Sequence, residues 1–345
     1  MMQKNSGCLW MLAGFGLCLG LLFVAAVFAV GSLGMRNPVK PAAPKFEEAV
    51  VVEAKPPKDG KEPDGKIALI YLRGIITSAE PGTVGDTMVD DLKLQLEQAA
   101  LDDKIKAVVL YVDSPGGEVT ASDIIYNAVK KVRDGGFAGG TKKPVVVYMG
   151  SLAASGGYYV ACGGSYLMAN DTTLTGSIGV IMQTLNYREL MGKVGLETVT
   201  FKSGAFKDML SGSREMRPEE KEYVQKMVMD TYGKFVGIVA RERKLDEGEL
   251  RSGLADGRVI SGKDAKDAKL INGLGEIEDA YAKAMELGKV KGAAIIRYES
   301  PFHFGRLFRI LGQSEKTSVE VNVVKSLMPK LEAGRLYFLP GFYAP

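Results

Sequence analysis

The chain of 345 residues contains one histidine, His303. A Ser-His-Asp triad would have to recruit that residue, which stands in a C-terminal extension far from any nucleophile-bearing motif. A zinc site built from several histidines is excluded. Nor do the three cysteines offer metal-ligand spacing or a disulfide framework, since Cys8 and Cys18 fall in an apolar N-terminal run and Cys162 stands alone. No motif asks for a cofactor. If this chain hydrolyses a bond, a group other than histidine takes the proton.

Two segments could supply a nucleophile and its oxyanion donors. Met149-Gly-Ser-Leu-Ala-Ala-Ser-Gly-Gly-Tyr158 follows an apolar run of strand character and opens a helix of small residues. At that junction Ser155 would present its hydroxyl beside free backbone N–H groups, which stabilise developing negative charge. The small neighbours Ala153, Ala154, Gly156 and Gly157 would let a substrate backbone approach closely. The same run also suits a plain helix-packing face, and local sequence does not separate the two. Asp113-Ser-Pro-Gly-Gly117 is a second glycine turn, again after a strand and before a helix. Its glycines can aim N–H groups at an oxyanion or simply turn the chain. Two such turns after neighbouring strands are more specific than either alone.

A lysine can serve as the base if burial lowers its pKa from about 10.4 toward neutrality, because a low-dielectric site disfavours the charged form. Phe201-Lys-Ser-Gly-Ala-Phe-Lys-Asp-Met209 offers Lys202 and Lys207 in a glycine-containing, partly apolar segment. Most lysines are solvated surface groups, and residue type alone does not choose between these two.

The elements that must position these residues alternate between strand and helix. Ile67 to Ile76, Val108 to Val112 and Pro144 to Met149 read as strands. Helices are expected from about Thr120 to Val132, from about Ser155, and from Pro218 to about Arg243, the last with Glu219 and Glu220 near its positive end. Two short helices are expected between Ser261 and Ala284, around the turn Asn272-Gly-Leu-Gly275. Alternation of this kind predicts an α/β domain with a mostly parallel sheet, and uninterrupted apolar strands such as Val145–Val147 suit a sheet covered on both faces. Ahead of it, no charged residue occurs between Asn5 and Met35. Spanning a bilayer takes about 20 apolar residues as a helix, so the chain is expected to carry one N-terminal transmembrane signal anchor. Counting flanking basic residues weakly favours a cytoplasmic position for the residues beyond that anchor. Residues 36–66, with six prolines and many charges, read as an extended tether. Near the end, Phe302 to Leu311 is amphipathic and basic and Tyr337 to Tyr343 is aromatic. Either could dock on a second subunit, touch a membrane or pack on its own domain. A net charge of +3 with no basic patch excludes nucleic acid as a partner.

Four motifs in order, Asp113-Ser-Pro-Gly-Gly117, Gly150 to Tyr159, Leu174-Thr-Gly-Ser-Ile-Gly-Val180 and Lys202 to Asp208, resemble the signal peptide peptidase A family. These are serine peptidases with a ClpP/crotonase-like fold. The resemblance covers roughly residues 66–290 and implies a peptidase domain there, after a short tail (1–6), the anchor (7–34) and the tether (35–65), and before an extension (291–345). It implies Ser155 as nucleophile, Lys207 rather than Lys202 as base, and Ser177 as the hydroxyl orienting that amine. The oxyanion donors would be Gly156 and the Gly116-Gly117 turn, with Gly117 preferred. It further implies cleavage of remnant signal peptides, a homo-oligomeric ring in which serine and lysine can come from adjacent subunits, and a single-pass membrane protein with its catalytic domain outside the cytoplasm. Two rivals share the fold: a crotonase-type acyl-CoA enzyme and a non-catalytic membrane scaffold.

Overall fold

Runs rich in Val, Ile, Leu and Ala form the central strands of this domain, where both faces are covered. The computed structural model describes residues 46–55, 65–78, 87–300 and 336–340. The expected anchor, residues 36–45 and 56–64 of the tether, His303 and the amphipathic Phe302–Leu311 segment lie outside the described residues. No helix among the described residues is long and apolar enough to cross a membrane.

In chain order the elements that build the sheet and its cover begin with β1 (Glu47–Val52), β2 (Lys66–Arg73), α1 (Met88–Leu101), β3 (Ile105–Ser114), β4 (Gly117–Glu118) and α2 (Val119–Asp134). They continue with β5 (Val145–Ala154), α3 (Gly156–Ala161), β6 (Tyr166–Ala169), β7 (Leu174–Gly176), α4 (Arg188–Lys193) and α5 (Pro218–Arg243). The rest are α6 (Glu247–Ser252), β8 (Val259–Ser261), α7 (Gly262–Asp267), β9 (Gly273–Leu274), α8 (Ile277–Leu287), β10 (Ala294–Glu299) and β11 (Tyr337–Phe338). The main sheet runs β1-β10-β2-β3-β5-β6-β9, with β7 on the far end of β5 and β8 on β7. All pairs from β10 to β9 along this path are parallel, and β1 is an antiparallel edge.

Strand alternation sorts the core into two layers. Ile67, Leu69, Val109, Val146 and Tyr148 point to one face, where Ala280 and Ala284 of α8 meet them. Ile70, Leu72, Val108, Leu110, Val145 and Val147 point to the other, under α1, α2 and α3. The α/β reading with a mostly parallel sheet is therefore what the chain adopts. The expected boundaries hold closely for α2 and α5, and both short helices around Asn272 form.

Two stretches differ from the expected organisation. Glu47–Val52, within the expected tether, is a strand that pairs with Ala294–Glu299, which belonged to the expected extension. Each supplies the other's hydrogen bonds across a long gap in sequence, so neither reveals itself in local periodicity. The ordered domain therefore starts earlier and ends later than 66–290.

Leu110 is wholly buried at the centre of β3. Leu110→Ala should destabilise the domain by about 2–5 kcal/mol, the range for emptying such a site. The shift in denaturant midpoint at constant slope measures it.

Candidate active site

β5 ends at Ala154 and α3 begins at Gly156, so the chain reverses character at a single residue, Ser155. That residue holds φ 53° and ψ −115°, in the left-handed half of the map. A side chain there costs of order 1–3 kcal/mol and persists only where the surroundings over-determine it. Here they do. Its N–H donates to the Gly176 carbonyl at 2.8 Å, and its own carbonyl accepts the Tyr159 N–H at 2.8 Å. Ser155 is fully buried, and its Oγ has no hydrogen-bond partner among the described residues.

The bond to Gly176 also draws Ser177 in. Ser177 comes directly after β7, is 2% exposed and takes φ 50°. Its N–H donates to the Arg258 carbonyl at 2.7 Å, which fixes the turn. Two serines with left-handed backbones thus stand at the ends of adjacent parallel strands.

The first glycine turn meets the second. A Cβ built on Gly156 would lie 2.7 Å from Ser122 Oγ, 3.0 Å from Gly116 Cα and 3.1 Å from Gly117 N. Gly116 itself sits at φ +102°, and its N–H donates to Ser114 Oγ at 3.0 Å. That N–H is committed within the turn. A Cβ on Gly117 would fall 2.0 Å from the Ile76 carbonyl oxygen, so no larger residue fits.

Local sequence does not reveal the strand that fills this crevice. β11 pairs antiparallel with β4, Tyr337 opposite Glu118 and Phe338 opposite Gly117. Of the aromatic C-terminal segment, left open among three docking choices, the described residues 337–340 pack on their own domain: Phe338 is wholly buried against Tyr159 and Phe235. The only signal in the chain is the aromatic run itself.

Lys207 makes no hydrogen bond to Ser155 Oγ among the described residues. It is exposed, and its amine makes no hydrogen bond or ion pair among the described residues. It rides on a segment with little core, where Leu185, Val199 and Phe201 are 77%, 74% and 94% exposed. Charge pins this segment instead. Asp208 accepts from Lys202 at 2.7 Å and from Arg214 at 2.7 Å. Arg214 also reaches Glu220 of α5 at 2.6 Å, and Arg217 bonds both Glu220 and the Ala205 carbonyl at 2.6 Å. The Arg214 guanidinium, then Lys202, hold the Asp208 carboxyl well below the usual carboxylate range. Arg214 and then Arg217 do the same for Glu220. Lys202, the alternative base, is therefore committed to a carboxylate.

The models of two families match this arrangement: Clp protease over residues 68–176, and Peptidase family S49 over residues 139–291. A putative protease of Synechocystis is 38% identical over 64% of this chain and 74% of its own length. A putative protease of Methanocaldococcus jannaschii is 41% identical over 59% of this chain and 63% of its length. A putative signal peptide peptidase SppA of Enterococcus faecium is 36% identical over 60% and 58%. This chain thus spans less than two thirds of the latter two. The parallel sheet and the Clp match define an α/β domain of the ClpP-like kind. Within that class, the chain belongs to Peptidase family S49 and is similar to signal peptide peptidase A.

Because Asp208 and Glu220 stay charged to lower pH when folded than when unfolded, their contribution is in full above the ordinary carboxylate range of about 4 and fades as pH falls below it. Hydrogen exchange of the segment around Lys207, corrected for intrinsic rate, should therefore quicken between about pH 5 and about pH 3. In Glu220→Gln it should already be faster at neutral pH, with only the part carried by Asp208 left to lose in acid. Equal protection in both proteins across that range would show that the network does not hold the segment.

Proposed function

We propose that this chain is a serine endopeptidase in which Ser155 attacks the peptide carbonyl and Lys207 of the partner subunit in a homo-oligomeric ring accepts its proton. The observation that carries the reading is the Ser155 hydroxyl: buried, without a partner among the described residues, and held in a strained backbone against two glycine turns. An unpaired buried hydroxyl costs about 1–3 kcal/mol, and such a cost persists at a site that awaits a second group. The exposed lysine, on a segment whose apolar side chains Leu185, Val199 and Phe201 face solvent, has the complementary deficit. One contact between copies would cover the apolar surface and dehydrate the amine together.

In this mechanism the N–H groups of Gly117 and Gly156 receive the negative charge that develops on the carbonyl oxygen. The Ser177 hydroxyl orients the neutral amine. Once protonated, Lys207 returns the proton to the leaving amine, and water then clears the acyl-enzyme by the same route. Resemblance to signal peptide peptidase A supports apolar remnant signal peptides as substrates, and a transmembrane anchor at 7–34 with the domain on the extracytoplasmic face supports access to them. Neither the acyl-CoA nor the scaffold reading has an observation of its own in its favour.

Cleavage of an apolar peptide by the full chain tests this. Ser155→Ala and Lys207→Ala should each lower kcat/KM by about a thousandfold or more, while Lys202→Ala should stay within about tenfold of wild type. Mixing the two inactive variants under conditions that allow subunits to exchange should restore part of the activity, because some sites then pair an intact serine with an intact lysine. Wild-type rates in Ser155→Ala would refute the nucleophile. Failure of mixing to restore activity would refute a base supplied between subunits.

A further inference from the structure

Between α2 and α5 the described residues leave a cleft of about 340 Å³ that opens to solvent. Its walls are two helix faces. Asp123, Tyr126 and Lys130 follow one another at intervals of three and four residues on α2. Lys234, Ile238 and Arg241 do so at four and three on α5, so each set shares one side of its helix. Ligand pockets begin at about 300 Å³, which makes this cleft the size for a small molecule.

The cleft holds more donors than acceptors. Lys130, Lys234 and Arg241 line it against a single carboxylate, Asp123. That carboxylate is already shared, because its Oδ1 accepts the Tyr159 hydroxyl at 2.6 Å and pairs with Lys234 at 2.8 Å. The Tyr126 hydroxyl donates to Glu242 at 2.7 Å and accepts from Arg241 Nη2 at 2.9 Å. Arg241 Nε meets Glu242 at 3.2 Å, and Arg133 bonds the same carboxylate at 2.8 Å. Arg241 Nη1 is left without a partner among the described residues, and so is Lys130, although Lys130 is half-buried. A molecule that fits here must therefore bring acceptors and negative charge. Donor groups on two walls suit a phosphoryl group, which has three strong acceptor oxygens and a charge of about −1.5 to −2 at neutral pH. A carboxylate has two oxygens and one charge.

We propose that the cleft between α2 and α5 binds a small phosphomonoester, its phosphoryl oxygens held by Lys130 from one wall and by Lys234 and Arg241 from the other. The ligand competes with Asp123 for Lys234, so Asp123 opposes binding both by its charge and by occupying a donor. No single stretch of sequence shows the site, because its cations come from two helices about a hundred residues apart that meet only in the fold. The cleft does not include Ser155, and the inference stands whichever way the peptidase reading falls. A soluble phosphate ester and the headgroup of a phosphatidic acid present the same chemistry to these residues.

Titration calorimetry of the full chain with glycerol phosphate at low salt tests this, and saturable binding is expected. Lys130→Ala should weaken it about tenfold or more, the size of a lost bond to a charged group. Because Lys130 bonds to nothing in the folded domain, this variant keeps its fold. Arg241→Ala should weaken binding at least as much. Asp123→Asn should tighten it about threefold or more, since a repelling charge goes and Lys234 is released. Glycerate, which has a carboxylate in place of the phosphoryl group, should bind about tenfold or more weakly than glycerol phosphate. Ser155→Ala should bind as wild type does, which keeps the result separate from the peptidase reading. Dihexanoyl phosphatidic acid, used below its micelle concentration, identifies the source. Tighter binding than glycerol phosphate, lost in Lys130→Ala, assigns the site to a lipid headgroup; weaker binding assigns it to a soluble ester. Three results would each overturn the proposal: no saturable binding of either phosphate, affinity unchanged in both Lys130→Ala and Arg241→Ala, or glycerate bound as tightly as glycerol phosphate.

Discussion

The site exists because β5 carries two more residues than β3 over the last stretch of their pairing. Val112 lies opposite Met149, but Ser114 lies opposite Ala153. Without that irregularity the end of β3, Asp113–Ser114, would sit level with Gly150–Ser151, and Ser155 would stand beyond the turn that follows. With it, the Ser-Pro-Gly-Gly turn comes level with Ser155 and the two can touch. The extra length is accommodated at Gly150, where a Cβ would strike Tyr111 Oη at 2.6 Å, and Asp113 fixes it by accepting the Leu152 N–H at 3.2 Å. A parallel ladder offers one way to bring two successive crossovers to the same level, and the bulge sets how closely they meet.

How much of this could be read from the chain depends on the range of the interaction concerned. Apolar runs at 67–72, 108–112 and 145–149 marked the central strands because a doubly covered strand has no polar face to confuse the pattern. Helices α2 and α5 were marked by their apolar spacing and, for α5, by Pro218 and its acidic first turn. The junction at Ser155 was visible as a cluster of small residues, since close backbone approach demands them. Pairings between distant segments were not visible. Glu47–Val52 with β10 and Tyr337–Phe338 with β4 each join stretches with no shared local pattern, so one was absorbed into a tether and the other into an extension.

Lys207 illustrates a different limit. Its role came from resemblance, because nothing in Phe201–Met209 distinguishes one lysine from another by composition. The structure separates them by partner: Lys202 is tied to Asp208, while Lys207, five residues on, is left to solvent. The charges that arrange this, Asp208, Arg214, Arg217 and Glu220, are spaced for contact across a turn rather than along one helix face. In sequence they read only as an ordinary polar stretch before α5. A segment without a core must be positioned by directional, charge-assisted bonds, and Glu220, with a side chain wholly buried between two arginines, is where that network is anchored in the domain.

These features bear on how the proposed nucleophile, held in a strained backbone, is kept without hazard. Ser155 and Ser177 both hold left-handed backbones, so the strain is part of the folded frame and cannot relax when the site is idle. Reactivity then has to be limited from outside the frame. In one chain it is limited twice. The proposed base makes no hydrogen bond to the hydroxyl among the described residues, and the crevice between the glycine turns holds the carbonyl of Phe338. In the proposed reading the first limit would lift when copies meet, and the second would lift once the crevice is clear. Because the frame is already in place, neither event needs to remodel the sheet. Each would remove one obstacle, and under the proposed role the backbone geometry of Ser155 would serve the reaction unchanged.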